Sequence, residues 1–236
     1  MATVRGTLEA LAVGVSAALV IVALAILPFL TPAWMSFGQA RAQAAAWTGF
    51  SDAQLRYVTD AIVHDLVLGP PDFDVALPGE TAPVLNERER AHMRDVRGVF
   101  AGFFAAALIG AAVLAGAFLL ARGRRARARL WRHLSGAGTA VAVITLVGGG
   151  VGVLAFDQAF TLFHEIFFPG GNWAFDPRTD KLVQIFPDQF WSDTTIAVGV
   201  LVIVLALGLH WLGRRRAARL EAAEELEQGR GEAAPA

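Results

Sequence analysis

Apolar residues in this chain gather into four stretches without a single Asp, Glu, Lys or Arg. They cover residues 10–30, 99–121, 134–156 and 194–213, of 21, 23, 23 and 20 residues. A hydrocarbon core of about 30 Å is crossed by about 20 residues of helix, each rising about 1.5 Å. The pattern therefore predicts an all-α membrane protein with four transmembrane helices. Residues 1–220 read as one four-helix domain, interrupted by long loops at 31–98 and 157–193 and followed by a charged tail at 221–236. The first stretch is longer than the apolar core of a cleaved signal. The small-residue triplet Ala42-Gln43-Ala44 lies well beyond its end, so it is read as a span.

Between the spans the pattern becomes amphipathic. Ser51 and Gln54 have the spacing of a capping box, and Val58, Ile62 and Leu66 recur at helical intervals before Gly69-Pro70-Pro71. This predicts a helix of about four turns, with two placements open: flat on the outer membrane face, or packed against the bundle. Residues 70–85 hold four of the ten prolines and read as a linker. Asn86 with Glu89 marks a second helix start, and nothing interrupts the pattern from 87 to 121, so the second span projects beyond the membrane. The projecting part carries Arg88, Arg90, His92, Arg94, Asp95 and Arg97, with His92 and Asp95 on one face. After the third span, Phe156, Phe160, Phe163 and Phe167 continue the helical spacing up to Pro169-Gly170-Gly171, and Asp157 shares a face with His164. The loop 157–193 holds 7 Phe and 2 Trp, far too aromatic for a water-exposed connection. It reads as an interfacial or re-entrant segment. Gly98 and Gly102, and the run from Gly148 to Gly152, read as small-residue contacts between helices.

Composition supports the membrane reading: 55% hydrophobic and 17% charged residues, where soluble chains have about 25% charged. The net charge of −1 conceals a sharp segregation. Arg122, Arg124, Arg125, Arg127, Arg129 and Arg132 lie between spans two and three, Arg214, Arg215, Arg216 and Arg219 follow span four, and Arg5 precedes span one. The loop 31–98 has 9 acids against 6 bases, and 157–193 has 6 against 2. Positive residues stay inside, so both termini are expected in the cytoplasm and both long loops on the extracytoplasmic side of the membrane. Each basic run abuts a span, which makes anionic lipid rather than nucleic acid its partner. Without cysteine there is no thiolate nucleophile, thiolate metal site or disulfide.

This topology puts His92 and His164 on one side, each near the outer end of a helix, with Asp95 near the first and Asp157 and Glu165 near the second. An imidazole with a reference pKa of about 6.5 gives and takes protons at neutral pH, and a carboxylate can fix its tautomer. Two of them beside an aromatic wall point to acid–base chemistry on a lipid. His133 and His210, beside Trp131 and Trp211, read as interface anchors, and His64 as a surface partner of Asp60. There is no G-x-S-x-G elbow, no Walker loop and no H-E-x-x-H. No span centre holds a charge, against the expectation for a pump. Two other readings stay open: a metal-dependent outer-face hydrolase built on His92, His164 and carboxylates, and a non-enzymatic scaffold or lipid-binding protein.

Three blocks carry a family resemblance: Asn-Glu-Arg-Glu-Arg-Ala-His-Met-Arg-Asp-Val-Arg (86–97), Phe-His-Glu-Ile-Phe-Phe-Pro-Gly-Gly-Asn-Trp-Ala-Phe-Asp-Pro (163–177) and Phe-Pro-Asp-Gln-Phe-Trp-Ser-Asp (186–193). In these, and in the order of four spans, the chain resembles the bacterial membrane proteins that include lipoprotein intramolecular transacylase. Residues 1–80 match only in architecture. The resemblance implies transfer of the sn-2 acyl chain of a diacylglyceryl-Cys lipoprotein to its N-terminal amine, with His92 and His164 as the catalytic pair. Converting an ester to an amide runs downhill, so no cofactor is required. Asp95, Asp157 and Glu165 are candidates for orienting the imidazoles, and Asn172, Trp173 and Asp176 for shaping the pocket or folding its loop. The implied partners are membrane lipids and lipoprotein substrates.

Overall fold

The computed structural model describes residues 2–232. In chain order the elements are α1 (Ala2–Ile26), a 3-10 turn (Leu27–Leu30), α2 (Pro32–Arg41), α3 (Ala44–Thr48), α4 (Asp52–Val67), α5 (Glu87–Leu120), α6 (Arg124–Leu154), α7 (Phe156–Phe167), α8 (Lys181–Ile185) and α9 (Asp188–Glu232). The β pairing among the described residues is one antiparallel bridge, Ala76 to Pro83. Four segments are long and apolar enough to cross a membrane: Gly6–Leu30, Glu87–Leu120, Arg124–Leu154 and Asp188–Gln228. The charged tail continues α9 as helix. Its last four residues, where the sequence suggests fraying, lie outside the described part.

The chain forms two compact units. The first comprises Met1–Ala25, Ala105–Gly148 and Gly199–Ala236. Its surface exposes Leu8, Leu11, Val15, Leu108, Ile109, Ile144 and Val204, side chains that lipid rather than water would solvate. Val13, Ala17, Ala121, Leu130, Leu134 and Ala137 form its core. Close helix approach rests on other glycines than the pattern suggests. A Cβ on Gly138 would meet the Ala206 carbonyl oxygen at 2.4 Å, and one on Gly213 the Trp131 carbonyl oxygen at 2.7 Å. By contrast a Cβ on Gly98, Gly102, Gly148, Gly149 or Gly150 would meet nothing within 4 Å, so these are not packing contacts. His210 is more than an interface anchor: its Nδ1 lies 2.8 Å from Thr139 Oγ1 and 3.1 Å from Ser135 Oγ, tying α9 to α6. The arginines after span two find acids within the chain. Arg125 pairs with Glu224, Arg132 with Glu221, Arg124 with Glu227 and Arg129 with Glu9.

The second unit comprises Ile26–Phe104 and Gly149–Val198. Its core gathers Met35, Leu55, Val58, Ile62, Phe73, Leu85, Ile185 and Phe190. Both halves of the Ser51–Gln54 capping box form, and Leu55, Val58 and Ile62 on the apolar face of α4 are buried in this core. Residues 70–85 are not a linker. Phe73, Val75 and Leu77 alternate inward and are buried, with Phe73 wholly inaccessible at a φ of 54°. Helices α2, α3 and α8 have no counterpart in the hydrophobic pattern. They close the core through Gln39, whose amide reaches Thr59 Oγ1 at 2.8 Å and the Ile185 carbonyl at 3.1 Å. Gly38 leaves room for the Phe190 ring, which a Cβ would meet at 2.8 Å. His64 lies 3.2 Å from the carboxylate of Asp65, its immediate neighbour, rather than pairing with Asp60 one turn back.

Two features of this unit place the site. Asn86 and Glu89 cap α5 reciprocally: the Asn86 N–H donates to Glu89 Oε2 at 2.7 Å and the Glu89 N–H to Asn86 Oδ1 at 3.1 Å. The other Glu89 oxygen accepts the Leu182 N–H at 2.6 Å, so one buried carboxylate ties the start of α5 to α8. The aromatic extension of span three is a separate helix. The backbone leaves the helical region at Ala155 (φ −131°, ψ 51°) and resumes as α7, so α7 can depart from the axis of α6.

Candidate active site

His92 lies in the charged first turns of α5, about 10 Å along the helix axis from Val99, where the uncharged stretch begins, at about 1.5 Å per residue. The face that presents it is set by the cap formed by Asn86 and Glu89, just upstream in the same helix. His164 lies on α7. That helix buries one narrow stripe, with Phe160 half-buried and His164 and Phe168 buried, while Leu162, Phe163, Ile166 and Phe167 stay exposed. Seventy-two positions apart in the chain, the two imidazoles stack with ring centroids 5.9 Å apart and planes 30° from parallel.

The surroundings are aromatic. Phe168 lies against both rings, at 4.8 Å from His92 and 5.5 Å from His164. Phe175 stands edge-on to His92 at 5.5 Å. Phe160, Trp173 and Phe163 approach His164 at 4.0, 5.0 and 5.3 Å. His92 is 5% and His164 9% exposed. Burial lowers both imidazoles below their ordinary pKa. For His92 burial is the largest cause and the charge of a protonated His164 the next. Asn172 and Asp95 oppose them, and the result is about 4. At His164 burial outweighs the hydrogen bond to the Phe160 carbonyl. Both rings are therefore neutral at pH 7, and each disfavours a second proton on the pair.

The hydrogen bonds fix one tautomer directly. His164 Nδ1 lies 2.8 Å from the Phe160 carbonyl oxygen, which can only accept, so Nδ1 carries the proton and Nε2 the lone pair. Neither Nε2 bonds to the protein, and neither is among the sealed polar atoms that lack a partner.

The other expected site residues separate into two groups. Asp95 is not bonded to His92, but its Oδ2 accepts from Asn172 Nδ2 at 2.8 Å. Trp173 stacks on His164. Asp157 and Glu165 are exposed on α7 and bond to neither imidazole. Asp176 chelates Arg178 at 2.8 Å, and its own N–H donates to Asp180 Oδ2, so it folds the loop. Three contributors were missed. Phe168 lies one turn after His164 and Phe175 beyond the end of α7, so neither falls in the repeat of Phe156, Phe160, Phe163 and Phe167. Asp180, 6% exposed, holds Arg88 at 2.7 Å, and Arg88 in turn covers the Phe175 ring at 4.9 Å. Among the described residues no group of three or more His, Asp or Glu side chains gathers as metal ligands.

With this geometry in hand, the chain can be compared with known proteins. The family model for lipoprotein intramolecular transacylase Lit matches residues 11–191, which contain the whole site. An uncharacterised protein of Aquifex aeolicus is 32% identical over 161 residues, covering 66% of this chain and 68% of that one. The in meso structure of the membrane integral lipoprotein intramolecular transacylase Lit from Bacillus cereus superposes with a TM-score of 0.75. It covers 92% of this chain and 98% of that one at 19% identity. A variant of the same Bacillus protein, with one histidine replaced by arginine, superposes at 0.72 and 17% identity, covering 93% and 95%. At these identities the likeness is one of fold.

Proposed function

The chain belongs to the lipoprotein intramolecular transacylase family, and from that premise we propose that it moves the sn-2 acyl chain of a diacylglyceryl-Cys lipoprotein onto the N-terminal amine, using His92 and His164. The observation that carries the reading is the stacked pair of neutral imidazoles, brought from two distant segments into one aromatic cleft. The site is taken to face the extracytoplasmic side, where the charge asymmetry of the loops puts it.

The chemistry balances without a cofactor. The amine nitrogen attacks the sn-2 ester carbonyl, and one neutral imidazole takes the proton that nitrogen must lose through its open Nε2. The tetrahedral centre then collapses with cleavage of the carbonyl carbon–glyceryl oxygen bond. The glyceryl oxygen receives that proton, leaving a free hydroxyl and a new amide. Two imidazoles in contact hold one proton between them more readily than two, because the charges repel. That is the occupancy a shuttle needs. The rings of Phe160, Phe168, Trp173 and Phe175 exclude water, which favours attack by the amine over hydrolysis of the ester.

The test is a reporter lipoprotein produced with and without this protein, its N-terminal peptide read by mass spectrometry. The reading expects an N-acylated, mono-acylglyceryl peptide. It also expects His92→Ala and His164→Ala each to reduce the rate by about 10²–10⁴, the usual contribution of a general acid or base, without loss of membrane insertion. Unchanged diacylglyceryl-Cys with inserted wild-type protein would reject it.

A further inference from the structure

Two buried polar atoms in this site lack any hydrogen-bond partner: His92 Nδ1 and Asn172 Oδ1. A buried donor or acceptor is costly to leave unpaired, so two orphans in one site are informative. The Asn172 side chain also interacts with His92 as a hydrogen-bonding group that favours the protonated ring, which an amide can do only through its oxygen. The two unpaired atoms thus belong to neighbouring side chains.

The other end of the amide removes the ambiguity. Asn172 Nδ2 donates to Asp95 Oδ2 at 2.8 Å, and an ionised carboxylate only accepts. Nδ2 is therefore the end held by Asp95, and the unpaired Oδ1 is the end left to accept from His92 Nδ1, for which that nitrogen must carry the proton. Asp95 and His92 lie three residues apart on α5, and Asn172 enters between them from the loop after Pro169-Gly170-Gly171. There Gly171 has a φ of +69°, where a β-carbon would be strained. The titratable groups facing His92 are His164 from α7 and Asp95 from its own helix. Arg88 stands beyond the ring of Phe175.

We propose that Asn172 is the positioning residue of His92: its carboxamide, held by Asp95, fixes the imidazole with Nδ1 protonated and the Nε2 lone pair turned into the cleft. His164 reaches the same state by a different route, through the Phe160 carbonyl. Both imidazoles then offer Nε2 to one substrate. Asn172 touches neither substrate nor reacting atom and acts only through His92. For its kinetic consequence the proposal rests on the acyl-transfer reading; the tautomer is tested independently of it.

The experiment has two arms, both on the full chain in lipid nanodiscs. In the first, ring-15N-labelled histidine is read by NMR at pH 7.5, with His92 assigned by difference from His92→Gln. The inference expects His92 as the Nδ1–H tautomer in the wild type and a mixture of tautomers in Asn172→Ala. A wild-type His92 protonated on Nε2, or a tautomer untouched by Asn172→Ala, overturns it whether or not the protein is an acyltransferase. In the second arm, kcat/KM on a diacylglyceryl-Cys peptide is followed against pH. Asn172→Ala is expected to lose about 10- to 100-fold in kcat with KM nearly unchanged. Asn172→Asp, which keeps an acceptor at Nδ1 and adds charge, is expected to recover part of that loss and raise the acid limb by a unit or more. An acid limb identical in wild type and Asn172→Asp overturns the positioning role. If His92→Ala and His164→Ala are inactive while both Asn172 variants behave as wild type, this inference fails and the acyl-transfer reading stands. If both histidine variants stay active, the two-histidine mechanism fails, and the NMR arm alone judges Asn172.

Discussion

At the scale of single residues, the site depends on imidazoles kept neutral. Burial holds His92 and His164 below the ordinary imidazole pKa of about 6.5. Activity that needs a neutral base therefore persists below pH 6.5, and the acid limb of kcat/KM is expected between about 4, the value of His92, and 6.5. A limb at or above 6.5 would contradict it. The same shift has a stability consequence. Above pH 6.5 both folded and unfolded chains hold these rings neutral, and nothing is gained or lost. As the pH falls below 6.5 the unfolded chain takes up protons that the folded one refuses, so stability declines until about pH 4. Unfolding followed by denaturant from pH 8 to 4 should show that decline, and His92→Gln should flatten it. A second residue-scale expectation concerns Glu89. Replacing it by Ala strands the buried Leu182 N–H and removes the α5 cap, at about 1–3 kcal/mol. A melting temperature equal to that of the wild type would show that the carboxylate holds nothing together. His92 and His164 stood out in the sequence as rare polar groups beside apolar helices. Asn172 was visible only as a candidate among loop residues. Its role depends on Asp95, 77 positions away, and no local spacing encodes that meeting.

At the scale of elements, local chemistry was legible wherever it was carried by neighbouring residues. Ser51 with Gln54 and Asn86 with Glu89 announce two helix starts, and both reciprocal caps form. Where an element answers to distant partners, the pattern misled. The prolines of 70–85 suggested a linker, yet the two-residue alternation of Phe73, Val75 and Leu77 already described an extended segment with one buried face. The break at Ala155 had a signal too. Glycine is a poor helix former, and Gly148, Gly149, Gly150 and Gly152 precede the break in a part of α6 where they relieve no contact. This separates two kinds of glycine on one helix. Gly148→Ala is expected to leave packing intact and stabilise α6 by about 0.5–1 kcal/mol. Gly138→Ala forces a Cβ onto the Ala206 carbonyl and His210 backbone and is expected to cost about 1–3 kcal/mol. Thermal unfolding in one detergent decides between them. Equal shifts for the two variants would mean that glycine spacing does not matter for this helix.

At the scale of the whole molecule, the four apolar stretches are carried by α1, α5, α6 and α9, and the exposed Leu, Val and Ile of the first unit are the cost of living in lipid rather than water. Membership of the transacylase family adds the chemistry to that frame. What the frame supplies is an aromatic site in the second unit, where the imidazoles of His92 and His164 stack. The central claim is that this site moves one acyl group from oxygen to nitrogen within a single substrate. The direct measurement uses purified protein in nanodiscs and a synthetic diacylglyceryl-Cys peptide carrying a 13C-labelled acyl chain at sn-2 only, mixed with an unlabelled peptide of different mass. The account predicts label on the amide nitrogen of the same peptide, none on the other, and none after the joint change of His92 and His164 to Ala. Label appearing as free fatty acid, crossing to the second peptide, or moving unchanged in the double variant would contradict it.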